Sequence, residues 1–189
     1  MPRDAVVFDL DGTLTRPYLD FDAIRAELGV EGPVLEAIDR MDEAARRRAT
    51  TVLLGHEHRA AHNVSLRDGA VEIVRACRAA GLGVAILTRN SAATVSIVMD
   101  RFSLRVDAVR TREDGAVKPS AEPVLSLCRE LDAAPERSWM VGDFLFDIQS
   151  GRAAGLRTVL IVDGPRPDYA DQADHVIGRL DELRTILGI

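Results

Sequence analysis

The stretch AVVFDLDGT, residues 5–13, decides the architecture. Four apolar residues, Ala5 to Phe8, break directly into Asp9, Asp11, Gly12 and Thr13. A short unbroken apolar run of this kind reads as a parallel strand buried on both faces, with polar groups at its carboxyl end. Outward from it, Gly83–Leu87 ends in TRNS, SWMVGD (138–143) ends in acid, and RTVLIVDG (157–164) repeats the pattern. VDAVR (106–110) and HVI (175–177) are weaker strands.

Segments with helical period separate these runs. Ala70, Ile73, Val74 and Cys77 fall at i, i+3, i+4 and i+7, as do Val95, Val98, Met99 and Phe102, and again Val124, Leu127, Cys128 and Leu131. Strands alternating with helices predict an α/β chain: a Rossmann-like parallel sheet core flanked by helices. Ser120 is placed to cap the third of these helices, with Pro123 in its first turn, where a missing N–H costs little. Residues 16–66 break the alternation. Phe21, Ile24 and Leu28, followed by Gly29, predict one short helix; Val34, Ile38, Met41 and Ala45 predict a longer one after Gly32-Pro33; a third is expected from about 50 to 62. Residues 1–15 and 67–189 are therefore expected to form the core, and 16–66 a small α-helical cap inserted after the first strand.

With 189 residues the chain is long enough for one sizeable core with a small insertion. The apolar share is ordinary for a globular protein, and an aromatic share of 4% makes the core aliphatic. A net charge of -6 argues against a nucleic-acid partner, which a basic patch would normally announce. The one basic run, Arg46 to Arg48, is expected to be a solvated helix face. The opening MPRDAVVFDLDG returns to charge after a few apolar residues, so neither a signal peptide nor a membrane span is expected and a cytoplasmic location is. Cys77 and Cys128 sit at helical apolar positions and read as small core residues in a reducing compartment.

In open parallel sheets the site lies outside the carboxyl ends of the strands. The strands deliver Asp9, Asp11, Gly12 and Thr13, then Thr88 and Asn90, then Asp143 and Asp147, while Lys118 starts a helix nearby. Clustered carboxylates repel unless a cation lies among them, and hard oxygen ligands favour Mg²⁺. Mg²⁺ commonly shares its sphere with a substrate phosphate, so phosphoryl transfer is the expected chemistry.

These residues resemble the haloacid dehalogenase superfamily of phosphohydrolases. Its DxDGT motif matches Asp9 to Thr13, its strand-ending Ser or Thr matches Thr88, its Lys-Pro matches Lys118-Pro119, and its GDxxxD matches Gly142-Asp143 to Asp147. The order and rough spacing agree across the chain; Ala121 stands where relatives often carry a second proline. The resemblance implies that Asp9 is the nucleophile forming an aspartyl phosphate and Asp11 the general acid and base. It implies Mg²⁺ held by Asp9, the Asp11 carbonyl and Asp143, with Asp147 orienting that set. Thr88 and Lys118 would bind the phosphoryl group, joined by Asn90 and the backbone N–H groups of Asn90 and Ser91. Arg89, beside Thr88, is expected either to bind a substrate anion or to form a surface salt bridge.

Lys118 is the chain's one lysine among 24 basic residues. A compact ammonium fits between a nucleophilic carboxylate and a phosphoryl group, where a planar guanidinium needs more room and fork geometry. His56, His58 and His62 lack a metal-ligand pattern and read as an exposed or substrate-facing cap helix. Arg16 and Tyr18 lie where relatives join core to cap, suited to hinge or specificity roles.

Asp11 argues against carbon–halogen cleavage, since a leaving halide needs no proton. The short cap suggests a shallow pocket. The expected activity is a phosphatase of small-molecule phosphate esters resembling phosphoglycolate phosphatases, with a phosphomutase of the β-phosphoglucomutase type or a non-catalytic phosphate-binding module as alternatives. A monomer or homodimer is expected.

Overall fold

The computed structural model describes residues 3–189. Met1 and Pro2, the start of the opening stretch read for a leader, lie outside them. Six parallel strands form one sheet in the order β3-β2-β1-β4-β5-β6: β1 (Ala5–Phe8), β2 (Gly83–Leu87), β3 (Ala108–Arg110), β4 (Trp139–Gly142), β5 (Arg157–Ile161) and β6 (His175–Ile177). All six expected strands are present. Because the chain runs outward from β1 to β3 and then returns to β4 on the other side, the order reverses at β1, which sets the site there.

Every side chain of β1 is fully buried, which a strand at the centre of a covered sheet requires. Val6 and Phe8 pack with Val84, Ile86, Val141 and Val159, whereas Ala5 and Val7 pack with Ala85, Leu87 and Met140. The period of two thus feeds two cores, one per face. Helices α4 (Ala70–Ala79), α5 (Ala92–Phe102) and α8 (Leu183–Leu187) close the first through Ile73, Val98 and Leu183. Helix α6 (Glu122–Glu130) closes the second through Val124 and Leu127, and α7 (Leu145–Ala153) sets Ile148 against Leu160. Each large aliphatic side chain so buried contributes about 2 kcal/mol. Cys77 and Cys128 are buried and unbridged, as small core residues should be.

Helices α1 (Phe21–Leu28), α2 (Val34–Asp39) and α3 (Glu43–Asn63) lie between β1 and α4 and bury Ile24, Val34, Ile38, Ala49 and Leu53 against one another. Asp20 caps α1 and Gly29, in the left-handed region, ends it. The long helix expected from Val34 onward is in fact two. Asp42 takes an extended backbone and its side chain accepts from the Ala45 N–H at 2.8 Å, starting a new helix that also absorbs the segment from 50 to 62. The apolar spacing runs on across that break, which hid it. Ser120 is likewise displaced by one residue: Ala121 holds the N-cap position of α6, and Ser120 Oγ accepts from the Glu122 N–H at 3.2 Å. Arg46 to Arg48 are exposed, as expected. Among the described residues no helix is long and apolar enough to cross a membrane.

Candidate active site

The ends of β1, β2 and β4 meet above the sheet. The Asp9 N–H donates to the Val141 carbonyl at 2.8 Å, so the acid leaves the sheet tied to its neighbouring strand. The chain then turns tightly over the Leu10 carbonyl, which accepts from the Thr15 N–H at 2.9 Å and from the Thr15 hydroxyl at 3.0 Å. Gly12 makes this turn possible. Its φ is +86°, and a Cβ there would lie 2.2 Å from Asp143 Oδ2. Gly142 is required for a different reason: a Cβ would lie 2.2 Å from the Cβ of Asp147.

Asp9, Asp143 and Asp147 each present a carboxylate oxygen within 4.8 Å of the others. Buried Lys118 donates to Asp9 Oδ1 at 2.5 Å and to Asp147 Oδ1 at 2.6 Å. Asp147 Oδ2 accepts from the Phe144 N–H at 3.0 Å, so both its oxygens are engaged. The Thr13 hydroxyl lies 3.4 Å from Asp143 Oδ1. Asp11 turns aside from this group; its Oδ1 accepts from the Tyr18 N–H at 3.0 Å.

Charge is scarce among these acids. Burial pushes Asp9 up to about 6 although Lys118 opposes the rise. Burial, then the neighbouring Asp9 and Asp147, push Asp143 up to about 8. Burial and Asp9 push Asp11 up to about 7. Burial also works against the Lys118 charge, but Asp147 and Asp9 outweigh it and hold the ammonium well above its ordinary value. Packed carboxylates that resist ionisation beside a single ammonium are short of positive charge. Their donor set is oxygen alone, with no histidine or cysteine, which fits a hard divalent cation.

Thr88, at the end of β2, is buried, and its Oγ1 accepts from the Asn90 N–H at 3.2 Å. The Ser91 N–H points to Glu57 Oε2 at 3.4 Å. Both backbone amides expected to face a phosphoryl group are thus engaged within the protein, that of Asn90 by Thr88 and that of Ser91 by Glu57, which reaches it from α3. Asn90 Nδ2 donates to the Tyr18 hydroxyl at 2.5 Å, joining the strand end to the start of the inserted segment. Arg89 is held by partners other than the clustered acids. It forks onto both carboxylate oxygens of Glu36, at 2.7 Å each, donates to the Lys118 carbonyl and lies over the Phe146 ring, 4.9 Å from its centroid. Arg16 pairs with Asp68 at 3.2 Å. His56 pairs with Glu27 at 2.7 Å, and the rings of His58 and His62 meet edge-on at 4.7 Å.

Sequence reasoning missed several residues around the site. Glu57 binds the guanidinium of Arg112, from the turn after β3. Buried Arg67 donates to the Gly12 carbonyl and, at 2.6 Å, to Asp163, bracing the turn after β1. Phe144 and Phe146 face a cavity of about 590 Å³ that also holds Asp9, Thr88 and Lys118. A glutamate spaced four residues from Leu53 and Ala61 on a helix was the one available signal for Glu57.

A buried acid group with one ammonium, at the reversal point of a parallel sheet and beside an inserted helical layer, places the protein among α/β enzymes that work at the carboxyl edge of their sheets. The family model for the haloacid dehalogenase-like hydrolases matches residues 31–161. The chain belongs to that family, and it is a hydrolase. It is 34% identical over 167 residues to the uncharacterized hydrolase YOR131C of Saccharomyces cerevisiae, covering 83% of this chain and 76% of the relative. It is 33% identical over 189 residues to a phosphoglycolate phosphatase of Thiobacillus denitrificans, covering 82% and 81%. A crystal structure of a hydrolase from Pseudomonas syringae superposes with a TM-score of 0.81 at 20% identity, over 99% of each chain, and shows the same fold.

Proposed function

We propose that the protein is a Mg²⁺-dependent phosphatase that hydrolyses small-molecule phosphate monoesters through an aspartyl phosphate, in the manner of the phosphoglycolate phosphatases it resembles. In this reading residues 16–66 act as a cap over the site of a core made of 1–15 and 67–189. The observation that carries the reading is the placement of Lys118 Nζ, 2.5 Å from Asp9 Oδ1 and 2.6 Å from Asp147 Oδ1, beside a second acid, Asp11, that stands outside the clustered group.

Asp9 attacks phosphorus: a carboxylate oxygen–phosphorus bond forms as the bond to the ester oxygen breaks, and Asp11 gives its proton to the departing alcohol. Asp11 then takes a proton from water, whose oxygen bonds to phosphorus as the bond to Asp9 breaks. Inorganic phosphate leaves and both carboxylates return to their starting state. Lys118 fixes the Asp9 rotamer and holds positive charge beside the phosphoryl oxygens. The Thr88 hydroxyl, which accepts from Asn90, keeps its own proton to donate to a phosphoryl oxygen. Asp9, Asp143 and the Asp11 carbonyl would hold Mg²⁺, with Asp147 orienting the set from its pair with Lys118; the ion would neutralise charge on the phosphoryl group.

The test is phosphate release from 4-nitrophenyl phosphate and a panel of metabolite monoesters, with Mg²⁺ or with chelator, beside Asp9→Asn. Release that requires Mg²⁺ and is lost in the variant is expected. A folded wild-type protein that releases phosphate from none of the esters would overturn the reading.

A further inference from the structure

The cavity extends well past the acids. Its volume, about 590 Å³, lies within the range that accommodates drug-sized molecules and far exceeds what a two-carbon alcohol fills. Apart from the acids most of its lining is apolar. Phe144 and Phe146 line it from the core, and Phe21, Val34 and Leu35 from α1 and α2. Phe21 is 43% exposed and Phe144 51%, among the few large apolar side chains of the described residues left open to water. The Phe144 ring stands edge-on to Phe146 at 5.2 Å and to Tyr169 at 6.1 Å, forming an aromatic wall with one uncovered face. Apolar surface held open beside a reaction site gains free energy when the substrate covers it.

The charges in the cavity point the same way. Its three cations are Arg25, Arg89 and Lys118. Lys118 is committed to Asp9 and Asp147, and Arg89 to both oxygens of Glu36. Arg25 pairs with Asp22 at 2.6 Å, one turn away on α1. Five acids, Asp9, Asp11, Glu57, Asp143 and Asp147, line the same space. A second anionic group on the substrate would therefore meet apolar surface and cations that each already have a carboxylate partner, and its desolvation would go largely uncompensated.

We propose that the leaving-group side of this pocket selects phosphate monoesters of uncharged, apolar alcohols, ring-bearing ones foremost, over esters whose alcohol carries an anion. The proposal rests on the phosphatase reading and specifies its substrate class. Glu36 acts as the charge filter: by occupying Arg89 it withholds the guanidinium that a substrate carboxylate would otherwise find.

The experiment compares benzyl phosphate, ethyl phosphate and phosphoglycolate with the full chain and Mg²⁺. All three release a primary alcohol, so the comparison reads binding of the alcohol rather than lability of the ester bond. Benzyl phosphate is expected to exceed ethyl phosphate in kcat/KM by roughly tenfold, the scale of apolar discrimination in a pocket, with phosphoglycolate lowest. Phe144→Ala and Phe21→Ala, both at exposed rings that the fold does not need buried, should each shrink the benzyl-to-ethyl ratio several-fold. Glu36→Gln should raise phosphoglycolate relative to benzyl phosphate by freeing Arg89. Turnover of phosphoglycolate equal to or above that of benzyl phosphate, or a benzyl-to-ethyl ratio unchanged in both phenylalanine variants, would overturn this proposal while leaving the phosphatase standing. Hydrolysis of none of the three esters would overturn both.

Discussion

Glu57, midway along α3, and Arg112, in the turn after β3, form a two-pronged ion pair whose side chains are only 2% and 12% exposed. The same carboxylate lies 3.4 Å from the Ser91 N–H and from the Thr94 hydroxyl at the start of α5. One buried charge thus fastens the inserted helices to the sheet layer beside the site.

Removing one partner of such a pair leaves the other charge buried without compensation, which costs about 3 kcal/mol. Arg112→Ala should accordingly lower the melting temperature by roughly 6 to 12 °C. Glu57→Leu combined with Arg112→Met should recover most of that loss, because an apolar pair of similar volume carries no desolvation cost. Thermal unfolding of the three proteins decides it. An Arg112→Ala variant that melts with the wild type would show that the pair does not hold the two layers together.

Lys118 lies between two carboxylates at 3% exposure. Arginine retains the charge but cannot place a planar fork there without displacing Asp9 or Asp147. Lys118→Arg should therefore lose phosphate release by about a hundredfold or more, the scale of removing one donor from a charge-stabilising site. Near-wild-type turnover in a folded Lys118→Arg protein would mean that charge alone suffices at this position.

Asp174 anchors β6 to β5: its Oδ2 accepts from the Thr158 N–H at 2.7 Å and from the Thr158 hydroxyl at 2.8 Å. Burial works to raise this carboxyl, but the two Thr158 donors outweigh it and the net shift is downward. Its stabilising effect is therefore present above the ordinary aspartate value of about 3.9 and fades as the pH falls through the lower folded-state value. Asp174→Asn should melt a few degrees below the wild type at neutral pH, with the gap closing toward about pH 3. A gap that is the same at both pH values would show that the charge of Asp174 contributes nothing beyond its shape.

The sheet was legible because its strands are short apolar runs that end in acids or Thr, and Val6, Phe8, Val84 and Ile86 need no partner information to be recognised as buried. The acids and Lys118 were legible for the same reason, since strand ends converge in any open parallel sheet. What depended on three-dimensional company was not. The break between α2 and α3 rests on one Asp42 side chain overriding a continuing apolar period. Arg67 looks like any surface arginine until the Gly12 carbonyl and Asp163 are brought to it from 55 and 96 residues away in sequence. Arg89 adjoins Thr88 in sequence, yet its direction is set by Glu36 on a different helical layer.

Phe144 and Phe146 occupy variable positions of the GDxxxD segment, between the very acids that gather at the reacting end. The proposed recognition of the alcohol and the assembly of the acid group therefore share one short segment, from the end of β4 into the first turn of α7. Exchanging residues 16–66 for the corresponding segment of another family member would replace Phe21 and Leu35 but leave the aromatic wall of Phe144 and Phe146 in place, so such a chimaera should inherit a blend of two substrate ranges rather than the donor's own.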